Sequence, residues 1–209
     1  MVIIGITGPS GSGKSEICTK LNDASGIPTL NADNIYHRLL TPPSELLDLI
    51  AERFGHDVIR GDGTLERSAL AAKVFAPGTE KELEALNSIT HGRVLAKMNS
   101  LISQYSDMGC RVLTADVPLL FESGFDRECD LTVAIIADKA IRTERIMKRD
   151  GISYEAAVAR TTAQKPEEFY TSRADIVIKN NSGEAELENE VSALLERIGE
   201  IRKCKERKK

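Results

Sequence analysis

Short runs of consecutive apolar residues alternate along this chain with segments whose apolar positions recur every three or four residues. Val2-Ile3-Ile4-Gly5-Ile6-Thr7 is continuous and β-branched, the pattern of a strand covered on both faces of a parallel sheet. Runs of the same kind occupy residues 111–117, 131–136 and 175–178, with a shorter candidate at 27–30. Between them lie helical periods. Val94, Met98, Leu101 and Tyr105 share one helix face, as do Leu187, Val191, Leu194 and Ile198. Strands alternating with helices predict an α/β fold around a parallel sheet of about five strands.

Two stretches depart from the alternation. Residues 44–105 read as several helices with no strand among them, opened by Pro42-Pro43 and broken by a turn at Gly61-Asp62-Gly63. Residues 138–149 and 153–164 form a second helical pair around an Asp150-Gly151 turn, placed where a lid would lie. The expected division is therefore a core of about 1–36, 106–137 and 174–209, a helical insertion of about 37–105, and a lid of about 138–173. The basic tail from Arg202 to Lys209 is expected to be a solvated helix end that complements its own dipole.

Composition narrows the function classes. At 209 residues, 41% hydrophobic and 29% charged, the chain can build one substantial core. A net charge of −4 argues against a general nucleic-acid binder, which needs a basic surface. Cys18, Cys110, Cys129 and Cys204 lie far apart with no metal-ligand spacing, fitting reduced thiols. No apolar stretch approaches the length of a membrane span, and the first residues carry no basic leader, so a cytoplasmic monomer or weak homo-oligomer without membrane partners is expected.

The strongest chemistry follows the first strand directly. Gly8-Pro9-Ser10-Gly11-Ser12-Gly13-Lys14-Ser15 fits GxxxxGK[S/T], between a buried strand and a helix predicted from residue 15 to 21. Glycines let successive backbone N–H groups face phosphate oxygens, and the helix N-terminus adds partial positive charge. Lys14 then reaches the β- and γ-phosphates while the Ser15 hydroxyl ligates Mg²⁺. ATP contacts are expected from Gly11, Ser12, Gly13, Lys14, Ser15 and Glu16. The bland alternative is a Gly/Ser turn that only caps a helix.

The Asn-Lys-x-Asp string of a switch GTPase is absent, whereas an insertion and a lid suit an enzyme that encloses a second substrate away from water. Arg142, Arg145 and Arg149 fall on one face of the lid helix, with Arg145 and Arg149 the favoured ATP contacts; the alternative is a solvated face paired with Glu144 or Asp138. An acceptor hydroxyl needs a carboxylate to take its proton. Asp33 and Asp116 both follow strand candidates, where ligands bind in such sheets. Position assigns Asp33 to the acceptor side and Asp116 to the metal side; helix capping and a loop turn are the respective alternatives.

Several motifs then act together. Ile4 to Gly8 with Gly11 to Ser15, Asn31-Ala32-Asp33, Asp62-Gly63-Thr64-Leu65-Glu66-Arg67 followed by Leu70 and Val74-Phe75, and Pro118-Leu119-Leu120-Phe121-Glu122 resemble motifs of the dephospho-CoA kinases. Arg149 to Ser153, Gln164, Ala174-Asp175 and Asn180 extend the resemblance, which runs from Gly5 to about Val191. It implies a P-loop NTPase-type three-layer fold and Mg·ATP-dependent phosphorylation of the ribose 3′-hydroxyl of dephospho-CoA. It further implies Asp33 as catalytic base beside Lys14, and substrate contacts from Asp33, Arg67, His91, Pro118 and Leu119. Arg67 as a helix start and His91 as a structural histidine are the plain alternatives. Asn31 stands where the family usually has Asp, Gly92 where it has Pro, and Arg142 where it has Gln. A nucleoside or nucleoside-monophosphate kinase of related fold is the competing reading.

Overall fold

A computed structural model describes residues 1–181 and 184–207. The chain divides into two compact units, Met1–Asn31 with Tyr105–Lys209, and Ala32–Gln104.

In the first unit five parallel strands lie in the order β2-β3-β1-β4-β5. They are β1 (Val2–Thr7), β2 (Thr29–Asn31), β3 (Val112–Asp116), β4 (Leu131–Ile136) and β5 (Ile176–Lys179). Alternation along β1 sends Val2, Ile4 and Ile6 into one core with Ile17, Cys18 and Leu21 of α1 (Lys14–Ser25) and Leu187, Val191, Leu194 and Ile198 of α9 (Glu184–Glu206). The opposite face of β1 is crowded. A Cβ on Gly5 would lie 2.7 Å from Cys129 Sγ and 3.1 Å from Leu120, so only glycine fits there without displacing side chains. Because β1 sits between β3 and β4, the loop that leaves it emerges where the strand order reverses, the usual ligand crevice of an open parallel sheet.

The strands expected from apolar runs are present, with small shifts at their ends. The second begins at Thr29 instead of residue 27, since Pro28 has no N–H for the ladder and offers only its carbonyl, to Thr114 N at 2.9 Å. The last begins at Ile176, because the Asp175 carboxylate turns to accept from Thr132 N (2.8 Å) and Thr132 Oγ1 (2.7 Å). The helix expected over 15–21 is longer at both ends. Gly13 starts it at φ 96°, and Gly26 at φ 68° closes it with its N–H on Asn22 O.

Helices α6 (Lys139–Asp150), α7 (Tyr154–Thr162) and α8 (Glu167–Thr171) fall between β4 and β5. Gly151 stops α6 at φ 64°, and the Ser153 hydroxyl caps α7 by accepting from Ala156 N. The tail is exposed over residues 203–207 with Lys203 and Lys205 in the last turn of α9, as predicted; Lys205 Nζ also pairs with Asp130 at 2.5 Å and donates to Met1 O at 3.1 Å, while Lys208 and Lys209 lie outside the described residues. All four cysteines are free, and burial pushes the thiols of Cys18 and Cys129 up to about 12, so neither supplies a thiolate near neutral pH.

The second unit is helical: α2 (Ala32–Leu39), α3 (Glu45–Phe54), α4 (Arg67–Val74) and most of α5 (Glu80–Asp107). Ser44 caps α3 by accepting from Leu47 N at 3.2 Å, and Leu46, Leu47, Ile50 and Phe54 then meet Val58, Leu65, Leu70 and Val74 in a separate core. Gly63 makes the predicted turn at φ 82°, its N–H on Arg60 O. Among the described residues no helix is long and apolar enough to cross a membrane.

Candidate active site

The loop from Gly8 to Ser15 is shaped by its neighbours as much as by its own turns. Gly8, Gly11 and Gly13 have φ of 139°, 80° and 96°, a region side chains resist. Each also abuts another element. A Cβ on Gly8 would come within 2.0 Å of Ile135 O of β4; on Gly11, within 2.7 Å of Arg142 O of α6; on Gly13, within 2.1 Å of Asn180 Nδ2 after β5. The loop is thus seated in a socket made by three separate stretches of chain, which keeps its N–H groups in place before any anion arrives. Gly11→Ala is expected to add about 1–2 kcal/mol of left-handed backbone strain and to push α6 away. Its Tm should drop by at least about 2–4 °C, together with weaker ATP binding by calorimetry.

Polar contacts complete the socket. Asn180, 3% exposed, donates from Nδ2 to Ser12 O at 3.0 Å. Arg145 NH2 donates to Asn180 Oδ1 at 3.3 Å, and its NH1 to Gly11 O and Ser12 O, both at 3.4 Å. Ser10 N donates to Gln164 Oε1 at 3.0 Å. Lys14, first residue of α1, curls its Nζ back to Gly8 O (2.8 Å) and Pro9 O (3.3 Å). Ser12 is fully buried, whereas Ser15 and Glu16 are exposed in the first turn of α1, where an acidic side chain favours the helix dipole.

Beside the loop, Asp116 ends β3 in register with Ile6 of β1 and is only 3% exposed. It is a strand residue, not the loop-turn residue of the plainer alternative. Asn31 Nδ2 donates to its Oδ2 at 2.9 Å, across the β2–β3 pairing that sets these two residues opposite each other. An aspartate at position 31 would bring a second carboxylate to that oxygen, so asparagine here both orients Asp116 and avoids like-charge repulsion. Pro118 follows, its carbonyl accepting from Thr7 Oγ1 at 3.1 Å, and the turn through residues 118–124 leaves Leu119 44% exposed while Leu120 is fully buried.

One member of the arginine face differs from both readings of it. Arg142 does not present itself to phosphate or solvent: it is 8% exposed and donates to Gln164 Oε1 at 3.0 Å and Thr161 O at 3.5 Å. Asp138 pairs instead with Lys179 at 3.2 Å. Arg149 forks onto Asp150 (2.7 and 2.9 Å) and reaches Ser10 Oγ at 3.4 Å. The guanidinium of Arg149 holds the Asp150 carboxyl below the usual carboxylate range. Asn180 and Gln164 had only a resemblance to mark them, because a lone amide carries no periodic signal.

Within the helical unit, Asp33 is exposed in the first turn of α2, so it lies inside the helix and does not serve as its N-cap. Arg67 is the exposed first residue of α4, after the Glu66 cap. Burial pushes the Tyr36 hydroxyl up, and the charge of Arg67 acts on it in the opposite sense, linking α2 and α4. His91 is half-buried midway along α5.

Among the described residues, no three His, Cys, Asp or Glu side chains gather as a metal cage. The oxygens near the loop, the Ser15 hydroxyl and the Asp116 carboxylate, are the hard donors that Mg²⁺ takes when phosphates supply most of its other ligands.

Comparison with known proteins agrees with this architecture. The family model described as dephospho-CoA kinase matches residues 2–186. A dephospho-CoA kinase of Corynebacterium glutamicum is 35% identical over 198 residues, covering 95% of this chain and 98% of that protein. The solved structure of TT1252 from Thermus thermophilus superimposes with a TM-score of 0.74 at 35% identity, over 94% of this chain and 97% of that one. The dephospho-CoA kinase of Campylobacter jejuni gives 0.66 at 26% identity, over 94% and 96%.

Proposed function

This chain belongs to the dephospho-CoA kinase family, and from that premise we propose how its residues pass the γ-phosphoryl group of ATP to the ribose 3′-hydroxyl of dephospho-CoA. The observation that carries the proposal is the seated loop Gly8–Ser15 at the switch point of the sheet, with Asp116 in register beside it. Backbone N–H groups of Gly11, Ser12, Gly13, Lys14 and Ser15 hold the β-phosphate, with Glu16 in the same first turn. Lys14 exchanges its loop carbonyls for the β- and γ-phosphates and follows the charge as it moves to the leaving oxygen.

Ser15 and Asp116 would hold Mg²⁺, which would supply charge neutralisation to the phosphates. Arg145 and Arg149 bring planar donors toward the transferring group. Asp33 accepts the proton of the 3′-hydroxyl as that oxygen bonds to the γ-phosphorus and the bond to the ADP oxygen breaks; the proton then passes to solvent. Arg67, His91, Pro118 and Leu119 contact dephospho-CoA. The working division is a core, a helical acceptor-binding insertion of about 37–105 and a lid of about 138–173, in a cytoplasmic enzyme that is a monomer or weak homo-oligomer.

The direct test is an ADP-release assay with Mg·ATP across dephospho-CoA, adenosine, AMP, CMP and uridine. Turnover is expected with dephospho-CoA alone, and product analysis should place the new phosphate on the 3′-oxygen. Turnover with a nucleotide and none with dephospho-CoA would overturn the assignment.

A further inference from the structure

The third residue of the phosphate loop is held by a pair of side chains for which the transfer chemistry has no use. Gln164 Oε1 receives two donors, Ser10 N–H at 3.0 Å and Arg142 NH2 at 3.0 Å. Two donors converging on one oxygen fix the orientation of the amide, because the flipped form would aim its own NH₂ group at both of them. One donor is cationic, which makes that bond the stronger of the pair. Gln164 lies two residues beyond α7, in a segment whose helical hydrogen bonds have ended, so its side chain depends on such a partner to stay in place.

Arg142 is built for this task. It is 8% exposed, and among the described residues its Nε has no hydrogen-bond partner, so the contacts to Gln164 and Thr161 are its polar anchorage. Keeping a guanidinium so deeply placed is costly unless its remaining donors are well used. The same residue touches the loop a second way, since its backbone carbonyl and Cα are what a Cβ on Gly11 would strike, at 2.7 and 3.0 Å. Arg142 therefore governs two successive loop residues, Gly11 by backbone packing and Ser10 through the Gln164 amide.

We infer that Arg142 is a positioning residue for ATP: through Gln164 it holds the Ser10 N–H, and with it the entry of the phosphate loop, in the conformation that aims the following N–H groups at the phosphates. This inference rests on the loop being the ATP site proposed above.

The test is steady-state kinetics of the full chain, with ATP and dephospho-CoA varied separately, for Arg142→Met, Gln164→Ala, Gln164→Glu and two double variants. Loss of one charge-assisted bond corresponds to about a ten-fold change. Arg142→Met and Gln164→Ala should each raise KM for ATP by about ten-fold, with kcat and KM for dephospho-CoA within about two-fold. The Arg142→Met/Gln164→Ala double variant should be no worse than either single change, since both cut one route. Gln164→Glu keeps an acceptor for Ser10 N–H and pairs with Arg142, so its KM for ATP should stay near the parent value. Combined with Arg142→Met, the same glutamate stands unpaired beside the phosphates and should raise KM beyond either single variant. Calorimetric Kd values for ATP, which need no acceptor, should follow the same order; they test the inference even if dephospho-CoA proved not to be the substrate. An ATP KM and Kd within two-fold of the parent in Arg142→Met and Gln164→Ala, with only a lowered Tm, would reduce the pair to a structural contact. Multiplicative losses in the alanine double variant would equally overturn it.

Discussion

Asp33→Asn should lower kcat by about 10²–10⁴-fold, the span of a lost general base, while the Kd for ATP stays within about two-fold. Asparagine has the shape of aspartate and lacks only its capacity to take a proton, so the substitution isolates the chemical step. Its structural cost is small. Asp33 is exposed in the first turn of α2, where its charge is worth at most about 1 kcal/mol to the helix dipole. A thermal unfolding curve close to that of the parent is therefore part of the expectation. KM for dephospho-CoA should move little, because a proton acceptor acts mainly in the transition state. Equal losses of ATP affinity and turnover would place Asp33 on the nucleotide and remove it as base.

Much of the fold was legible because it rests on continuous apolar runs. All five strands coincide with β-branched stretches, and the face shared by Leu187, Val191, Leu194 and Ile198 is the face that α9 buries. Strand ends were less legible. Pro28 and Asp175 fall just outside the strands for reasons that depend on what stands beside them, a missing N–H in one case and a pair of Thr132 donors in the other. The phosphate loop was legible as a motif, yet the motif explains its glycines only by their turns. That Gly13 must also make room for Asn180, and Gly11 for the backbone of α6, follows from tertiary approach across more than a hundred residues of sequence.

The arginines show the same limit. Spacing placed Arg142, Arg145 and Arg149 on one side of α6, and the geometry separates them by one helical turn each: Arg142 faces Thr161 and Gln164, Arg145 the loop carbonyls, Arg149 the exposed Asp150. Helical periodicity fixes a direction around the axis. It does not say which neighbour waits at each level.

Lys14→Ala should lower kcat/KM for ATP by about 10³-fold or more, the range seen when a preorganised donor to a transferring phosphoryl group is removed. The fold should survive. Nζ donates to Gly8 O at 2.8 Å and Pro9 O at 3.3 Å, and losing such bonds costs about 1 kcal/mol each, or about 2–4 °C of Tm per kcal/mol. The packing of β4, α6 and Asn180 against the glycines remains without Lys14, so the loop should keep its shape. Lys14→Arg should restore little, because a planar fork cannot follow the two carbonyls and then the phosphates as a compact ammonium does. The two substitutions are distinguishable by what they spare. On the proposed mechanism Lys14→Ala should weaken ATP binding as well as turnover, its charge meeting the nucleotide in both ground and transition states, while Asp33→Asn should spare ATP binding. Measuring Kd for ATP and kcat side by side on the two variants thus distinguishes the proposed role on the nucleotide from the proposed role in proton transfer. Unchanged ATP affinity in Lys14→Ala would show that the loop's N–H groups alone hold the nucleotide.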